Sequence, residues 1–370
     1  MDFPGDDDGA GAMNRFQVSR AYLRRANEHG VALIITLWIF IFLFVVAFNF
    51  SAVVRDEADA AHRFDQDTQG YYLAVAGFQR GIYEFLMQSQ GAVVQPQEPQ
   101  QRKDNPAGFF DGTWRDEEIG NGISRFRLLD ESGKVNLNRS DEAMLRRIFT
   151  NIGIEEPVMS TIVDSILDWI DPDDLHRANG AENDYYQSLS PSYSAKNGPF
   201  DSVEDLLWVR GVTPEIFFGS DGEAGSGRGR HVGLKQIFTI DSPIDRVNLR
   251  TAPAEVIHAV LGLTLEKSRA FIEERKKLSE KTINDLLPLL GLTTTDAALQ
   301  MFIFTNPSVI SVEAEGQLKG SELARRVKGV VRLAAGAGVP VGGAQAQTVP
   351  GRGGVQLVRW IDREPVTPEE

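Results

Sequence analysis

Residues 31–50 read VALIITLWIFIFLFVVAFNF. No side chain in this run is charged, and only Thr36 and Asn49 are clearly polar. At about 1.5 Å per residue it makes a rod of roughly 30 Å, the thickness of a bilayer's hydrocarbon core. There is no polar stripe, so the helix is apolar all round. Before it stand Arg15, Arg20, Arg24 and Arg25; just after it stand Arg55, Asp56, Glu57 and Asp59. The arginine excess places the N-terminal side in the cytoplasm and the bulk of the chain across the membrane. A removed signal peptide is the competing reading. Its apolar region is shorter and ends in a small-x-small cleavage site, whereas this run ends in Phe48-Asn49-Phe50-Ser51, which favours a retained anchor.

The rest of the chain is long enough for two or three small domains outside the membrane. The whole chain has 370 residues, 42 % hydrophobic, no cysteine and a net charge of −14. Thiolate chemistry and a disulfide frame are excluded. The acidic balance argues against a nucleic-acid binder and leaves carboxylates for hard cations.

From Val53 the helical pattern continues, with Phe64, Tyr71, Tyr72, Val75, Phe78, Ile82, Phe85 and Leu86 at helical spacing. One helix of about 55 residues fits, and so do two helices broken near Gly70, since Gly70, Gly77 and Gly81 weaken the pattern. Residues 88–108 read as a polar, proline-containing loop. FRLLDESGKVNLN, Phe126–Asn138, predicts two short strands in a hairpin around Glu131-Ser132-Gly133. Helices follow over 141–170, with Ser140-Asp141-Glu142 as their start. Residues 171–200 are an acidic loop. Ser202 to Val209 is a helix with Ser202 and Asp205 spaced as a capping box, and 219–233 is a glycine-rich linker. Helices return at 253–260, 265–277 and 281–290. VISVEAE, RVKGVVRLA and VQLVRWID alternate as antiparallel strands, the last two joined by a Gly/Ala-rich loop over 335–346. An internal echo is also present. Lys134-Val-Asn-Leu-Asn138 and Arg246-Val-Asn-Leu-Arg250 each open a helical block, and Met144, Leu145, Ile148 and Phe149 correspond to Val256, Ile257, Val260 and Leu261. A strand edge feeding a helical unit, twice, and chance similarity of short junctions both account for it.

The densest polar constellation is Asp168, Asp171, Asp173, Asp174, Glu182 and Asp184, six carboxylates in 17 residues. Carboxylates on an irregular loop suit Ca²⁺, which takes 6–8 oxygen ligands. The spacing is not an EF-hand, so a solvated acidic loop with helix caps is the plain alternative. A paired-carboxylate hydrolase needs its two acids across a cleft, a geometry that neighbours in one loop seldom give. His29, His62, His176, His231 and His258 form no recognisable triad or metal spacing, and no phosphate loop is present. The chain therefore reads as a non-enzyme. The segment VNLRTAPAEVIHAVLGLTLEKSRAFIEERKK resembles helix-hairpin-helix repeats of DNA-uptake proteins. The second hairpin glycine is missing at Leu261-Gly262-Leu263-Thr264 and at Val209-Arg210-Gly211-Val212. Local charge comes only from Lys267, Arg269, Arg275, Lys276 and Lys277. The helical class carries over without the binding function.

Gly30, directly before the apolar run and behind a basic segment, resembles a type IV prepilin signal, with cleavage after Gly30 and a mature chain beginning at Val31. The fifth mature residue is Ile35, where most of that superfamily carry glutamate. This narrows the resemblance to the K-type minor pseudopilins of the type II secretion system. A buried carboxylate in lipid needs a partner, and a subunit with nothing above it needs no such carboxylate. DWID-x-D…GAEN-x-YY followed by NGPFDSVEDLLWVRGV resembles the helical insert of the same family. The leader is longer than expected, and Met13 is a second candidate start. The resemblance implies an α+β fold: a transmembrane and stalk helix, a pilin-like antiparallel sheet and a large all-helical insert of SAM-like or helix-hairpin-helix-like blocks. The expected divisions are a leader over 1–30, a spanning helix over 31–52, and a stalk with first strands over 53–139. A first helical insert over 140–235, a second helical block over 236–300 and C-terminal strands over 301–370 complete them. It implies Ca²⁺ in the insert, carried onto Asp171, Asp173, Asp174, Glu182 and Asp184. It implies a non-enzymatic tip subunit in the inner membrane of a Gram-negative bacterium, its bulk periplasmic. The partners implied are the prepilin peptidase, the I- and J-type minor pseudopilins, and the secreted substrate or the outer-membrane secretin, with no nucleic acid. A membrane-anchored DNA-binding protein of competence systems and a generic anchor carrying a Ca²⁺-stabilised interaction domain are the alternatives.

Overall fold

The computed structural model describes residues 12–89, 110, 112–220, 231–276, 283–333 and 354–362, and of residues 12–30, 220 and 231 the backbone only. The chain forms two units, Met1–Gln66 and Asp67–Glu370. The loop expected over 88–108 and the Gly/Ala-rich loop lie almost wholly outside the described residues.

A single helix, α1 (Ala12–Ser89), runs through Gly70, Gly77 and Gly81 without a break. In the first unit, every side chain from Val31 to Phe50 is exposed. The stretch is long and apolar enough to cross a membrane. Its two polar side chains are satisfied inside the helix: Thr36 Oγ1 donates to the Leu33 carbonyl at 2.8 Å and Asn49 Nδ2 to the Val45 carbonyl at 2.8 Å. A lipid environment demands this, because it offers no water to pair a stray polar group.

In the second unit α1 lies on an antiparallel sheet. Strands β1 (Arg115–Ile119) and β2 (Gly122–Asp130) form a hairpin around Gly120, whose φ of 56° suits the tight turn. The charged RDEEI strand carries no hydrophobic alternation, and sequence reasoning missed it. β2 ends without the hairpin expected around Glu131-Ser132-Gly133. Asp130 instead accepts from the Ser132 N–H and caps a 3₁₀ turn over Glu131–Gly133. The chain then leaves the sheet, and β3 (Val135–Asn136) pairs elsewhere.

The helical insert follows: α2 (Glu142–Asn151), α3 (Val158–Ile170), α4 (Asn183–Gln187) and a 3₁₀ turn over Val203–Trp208 that carries the expected capping box of Ser202 and Asp205. Then come α5 (Pro214–Phe218), β4 (Gly219–Ser220), β5 (His231–Val232), α6 (Leu234–Ile237) and β6 (Phe238–Thr239). The expected linker over 219–233 is thus pinned at both ends by β4 pairing with β5. A second run holds β7 (Val247–Asn248), α7 (Ala254–Leu261), α8 (Leu265–Arg275), α9 (Ile283–Leu286) and β8 (Phe302–Ile303). The chain rejoins the sheet as β9 (Val309–Leu318), β10 (Ala324–Leu333) and β11 (Val355–Asp362). The strand order is β1-β2-β9-β10-β11. Asp130, the last residue of β2, pairs with Ile310 near the start of β9. The whole insert therefore leaves and returns at one point between two neighbouring strands.

The sheet has two different faces, as period-2 alternation requires. One packs Phe126, Leu128, Val312, Ala314, Val327 and Val331 against Ala74, Phe78 and Phe85 of α1. Gly70 of α1 marks where two backbones nearly touch. A Cβ on Gly316 of β9 would stand 2.2 Å from the Gly70 carbonyl oxygen and 2.3 Å from the Ala74 nitrogen. The other face is a cross-strand charge ladder. Arg125, Glu315 and Arg326 are in register, as are Arg127, Glu313 and Lys328, with contacts of 2.7–3.0 Å. The Lys328 and Arg127 charges overcome burial and hold the Glu313 carboxyl at about 2.

The echo in the sequence is a structural repeat. Val135 pairs with Phe238 in a parallel bridge, and Val247 pairs with Phe302 in the same way. Asn136 Oδ1 accepts from the Asn138 N–H at 2.9 Å while its Nδ2 donates to the Ser242 carbonyl at 2.6 Å. Asn248 does the same with the Arg250 N–H at 3.3 Å and the Thr305 carbonyl at 2.9 Å. Each half also holds the phrase Asp-Leu-Leu-x-x-x-Gly, at Asp205–Gly211 and Asp285–Gly291, followed by Val212-Thr213 and Leu292-Thr293. Both glycines have positive φ. The two halves share one hydrophobic core that includes Leu145, Ile148, Phe149, Val256, Ile257 and Val260.

Gly316→Ala is expected to destabilise the protein by about 3 kcal/mol, because the clash is with backbone that cannot step aside. Gly77→Ala should cost less, since its Cβ meets a side chain, the Ser124 hydroxyl at 2.5 Å, which can move at the expense of its hydrogen bond to the Leu73 carbonyl. Thermal unfolding of the two variants, followed by circular dichroism, checks the order.

Candidate functional site: an acidic loop in the first half of the insert

The repeat isolates the candidate site. Between the second helix of each half and its Asp-Leu-Leu phrase, the second half spends only residues 276–284, whereas the first spends 171–204. The acidic loop is this extra length. It is tied down by α3, which presents Asp164 and Asp168 one helical turn apart. Asp164 Oδ2 accepts from the Asn179 N–H at 3.1 Å and Asp168 Oδ2 from the Arg177 N–H at 3.1 Å. Gly180 then lies against the Asp168 carboxylate, so that a Cβ there would stand 1.8 Å from Oδ2. That is the physical content of the Gly180-Ala181-Glu182 phrase: the first position has no room for a side chain, and Ala181 and Glu182 are buried. Beneath the loop, Trp169 meets Tyr186 edge-on at 5.3 Å and stacks on Phe200 at 6.1 Å.

Of the five residues that sequence reasoning nominated, the structure brings Asp171, Asp173 and Glu182 together, each with a carboxylate oxygen within 4.8 Å of the others. Asp174 stands beside them, its Oδ1 accepting from Asn183 Nδ2 at 2.7 Å and Asn197 Nδ2 at 3.0 Å. Asp184 is exposed in the first turn of α4, its Oδ1 accepting from the Tyr185 N–H at 2.8 Å. Glu182 is 1 % exposed, and neither of its oxygens accepts a hydrogen bond; Asp171 Oδ1 is buried in the same condition. Burial, then the negative charges of Asp168, Asp171, Asp174 and Asp173, push the Glu182 carboxyl up to about 7. Two residues escaped sequence reasoning. Arg177 joins Asp168 and Asp171, 2.6 Å from each. Asn197, at φ 47°, holds Asp173 and Asp174 through Nδ2 while its own Oδ1 is buried without a donor. The Asn197-Gly198 pair is a left-handed turn signal and was the available clue.

Buried acceptors that accept nothing are costly. Hard oxygens converging at these separations are what Ca²⁺ coordination at 2.3–2.6 Å requires. Asp171, Asp173 and Glu182 could therefore hold a divalent cation, with Asn197 Oδ1 a neutral oxygen nearby.

Of the charge counted in the second helical block, Lys267, Arg269 and Lys276 are exposed, but Arg275 is turned to a structural task. Arg275 is buried, and its Nη1 donates to the Leu249 and Ala252 carbonyls at 2.9 and 2.8 Å. Lys277 lies outside the described residues.

Glu182 titrates above its unfolded value of about 4.5, so ionising it inside the fold costs stability that grows as pH rises towards 7. Without divalent cations, Glu182→Gln should be more stable than the wild type by on the order of 2 kcal/mol at pH 8 and indistinguishable from it at pH 4.5. Thermal melts in EDTA across that range measure it.

Residues 126–218, from β2 through α5 and with the whole acidic loop, match the family described as "Type II secretion system (T2SS), protein K". The type II secretion system protein K of Pseudomonas aeruginosa is 26 % identical over 203 residues, covering 50 % of this chain and 58 % of that protein. Protein K of Pectobacterium carotovorum subsp. carotovorum is 24 % identical over 152 residues, 40 % of this chain and 43 % of that protein. The chain thus spans about half the length of these curated relatives. In fold it is similar to a chain in the crystal structure of the GspK-GspI-GspJ complex from the enterotoxigenic Escherichia coli type 2 secretion system. The TM-score is 0.56 at 13 % identity, covering 84 % of this chain and 100 % of that one. The family that this chain resembles, in the sequence of its insert and in the plan of its fold, is therefore protein K of the type II secretion system.

Proposed function

We propose that this chain is a non-enzymatic minor pseudopilin at the tip of the type II secretion pseudopilus. The observation that carries the reading is the architecture: an apolar helix continuing into a stalk packed on an antiparallel sheet, with a bulky helical insert entering and leaving between β2 and β9. The likeness to a chain found in a complex with I and J subunits supports I- and J-type minor pseudopilins as its partners. In this reading Val31–Phe50 holds the protein in the inner membrane, N-terminus in the cytoplasm and bulk in the periplasm, until neighbouring subunits extract it. The prepilin peptidase cuts after Gly30, and the new N-terminus is methylated. The absence of a carboxylate at Ile35 fits a subunit with no amine above it to neutralise. The insert obstructs addition of a further subunit and so starts and caps the filament, within reach of the secreted substrate and the outer-membrane secretin. A structural Ca²⁺ at Asp171, Asp173 and Glu182, with Asp174 and Asp184 alongside, stiffens the loop of that cap. Its chemistry is charge neutralisation: it supplies the positive partner that the oxygens of Glu182 lack.

N-terminal sequencing after expression with and without a prepilin peptidase tests the reading. The mature chain should begin at Val31 only when the peptidase is present. Retention of Gly30 under both conditions leaves a generic membrane anchor, and a gel shift at low salt then tests the competence-type DNA reading.

The capping role has its own test. Asp130 and Ile310 are paired neighbours, so residues 131–308 can be replaced by a short turn without tearing the sheet. That variant should keep its strands and stalk but release control of the tip, giving pseudopili of altered number and length. Unchanged pili would show that the insert does not cap.

A further inference from the structure

The acidic loop contains its own cation. Arg177 Nη1 lies 2.6 Å from Asp168 Oδ1 and 2.6 Å from Asp171 Oδ2. Burial works against its charge, but the Asp171 and Asp168 carboxylates, which accept its hydrogen bonds, hold the guanidinium above its ordinary value with their negative charge. Asp171 is thus shared. Its Oδ2 faces Arg177, whereas its Oδ1 is buried without a partner, and the residue belongs to the group with Asp173 and Glu182. Glu182, 1 % exposed and with both oxygens unpartnered, gives that group a reason to take a cation beyond mere acidity. The Arg177 side chain is 39 % exposed, so its head can turn towards water without unpacking the core.

We propose that Arg177 is a built-in counter-ion of the divalent-cation site, pairing with Asp171 when no divalent cation is bound and lowering the affinity for one. This rests on the cation reading given above. Two positive charges a few ångströms apart repel, and both draw on the same carboxylate. The number and charge of ligands set the strength of a Ca²⁺ site, and a guanidinium on one ligand removes part of that charge. The loop then keeps its fold when Ca²⁺ is scarce, because Arg177 neutralises Asp168 and the Oδ2 side of Asp171. The rival role for the same contact is orientation, in which Arg177 aims Asp171 at the cation and helps binding. The two roles differ in sign.

The experiment is a Ca²⁺ titration of the full chain in detergent, by calorimetry and by melting temperature, for the wild type, Arg177→Gln and Arg177→Lys. The wild type should bind. Arg177→Gln should bind about tenfold tighter and melt lower than the wild type in EDTA. Arg177→Lys keeps a charge that cannot hold both carboxylates at once, and should fall between the two. A folded Arg177→Gln protein whose affinity equals or is weaker than the wild type's overturns the proposal. Should Arg177→Gln fail to fold in EDTA, Arg177→Lys decides: tighter binding supports the counter-ion, and equal or weaker binding overturns it. A wild type without any Ca²⁺ response removes the cation reading and this inference with it. A responding wild type with no gain in Arg177→Gln removes this inference alone.

Discussion

Asp130 holds the insert to the sheet. It closes β2, and its carboxylate is buried. Oδ1 accepts from the Ser132 N–H at 2.9 Å, and Oδ2 accepts from Asn248 Nδ2 at 2.8 Å and Thr251 Oγ1 at 2.6 Å. One side chain thus ties the end of the sheet to the start of the second helical half, more than a hundred residues later. Beside it, buried Glu131 accepts from Thr239, at the end of the first half. Burial opposes its charge, but Lys134 and Lys328 hold it below its ordinary value. A buried carboxylate survives only where donors and opposite charges replace water. Here those donors come from both halves of the insert, so the joint and the repeat require one another.

The same physics separates structural acids from candidate ligands. Asp130, Glu313 and Glu315 are buried, and each is met by donors or cations. Glu182 is equally buried and is surrounded by carboxylates, and neither oxygen has a donor. Composition and spacing do not distinguish these residues. Satisfaction of their lone pairs does. This criterion also brings in Asn197, a neutral residue that a search for acids passes over.

The repeat explains why, among the described residues, the acidic group of Asp171, Asp173 and Glu182 has no counterpart in the second half. Each half opens with a Val-Asn strand and closes with a phenylalanine strand that pairs back onto it. Both halves use a helix pair and a glycine hairpin in between, and they bury their apolar faces in one core. The acidic loop is length added to the first half alone. Loops tolerate such additions because closure entropy grows slowly with length, and this one is further restrained by Asp164, Asp168 and the aromatic floor of Trp169, Tyr186 and Phe200.

Much of this molecule was legible in the order of its residues. An uncharged run of membrane length, period-2 strands in the C-terminal third, the helix pair after Ser140, the capping box at Ser202 and the Val-Asn echo all report local physics, and local physics is written in local sequence. What escaped was long-range. β1 is a strand through its register with β2, not through its own hydrophobicity. The expected hairpin after Asp130 lost to a carboxylate whose partners lie at Asn248 and Thr251. Gly70 looked like a helix breaker because the sheet backbone it accommodates, at Gly316, is 246 residues away. Six acids in one loop marked the region, but only the fold decided that Asp171, Asp173 and Glu182 converge, that Asp174 and Asp184 turn to amides, and that Arg177 stands among them. Composition sets how much charge a segment carries. Where that charge meets a donor, a cation or nothing depends on which distant backbone is folded against it, and that belongs to tertiary structure alone.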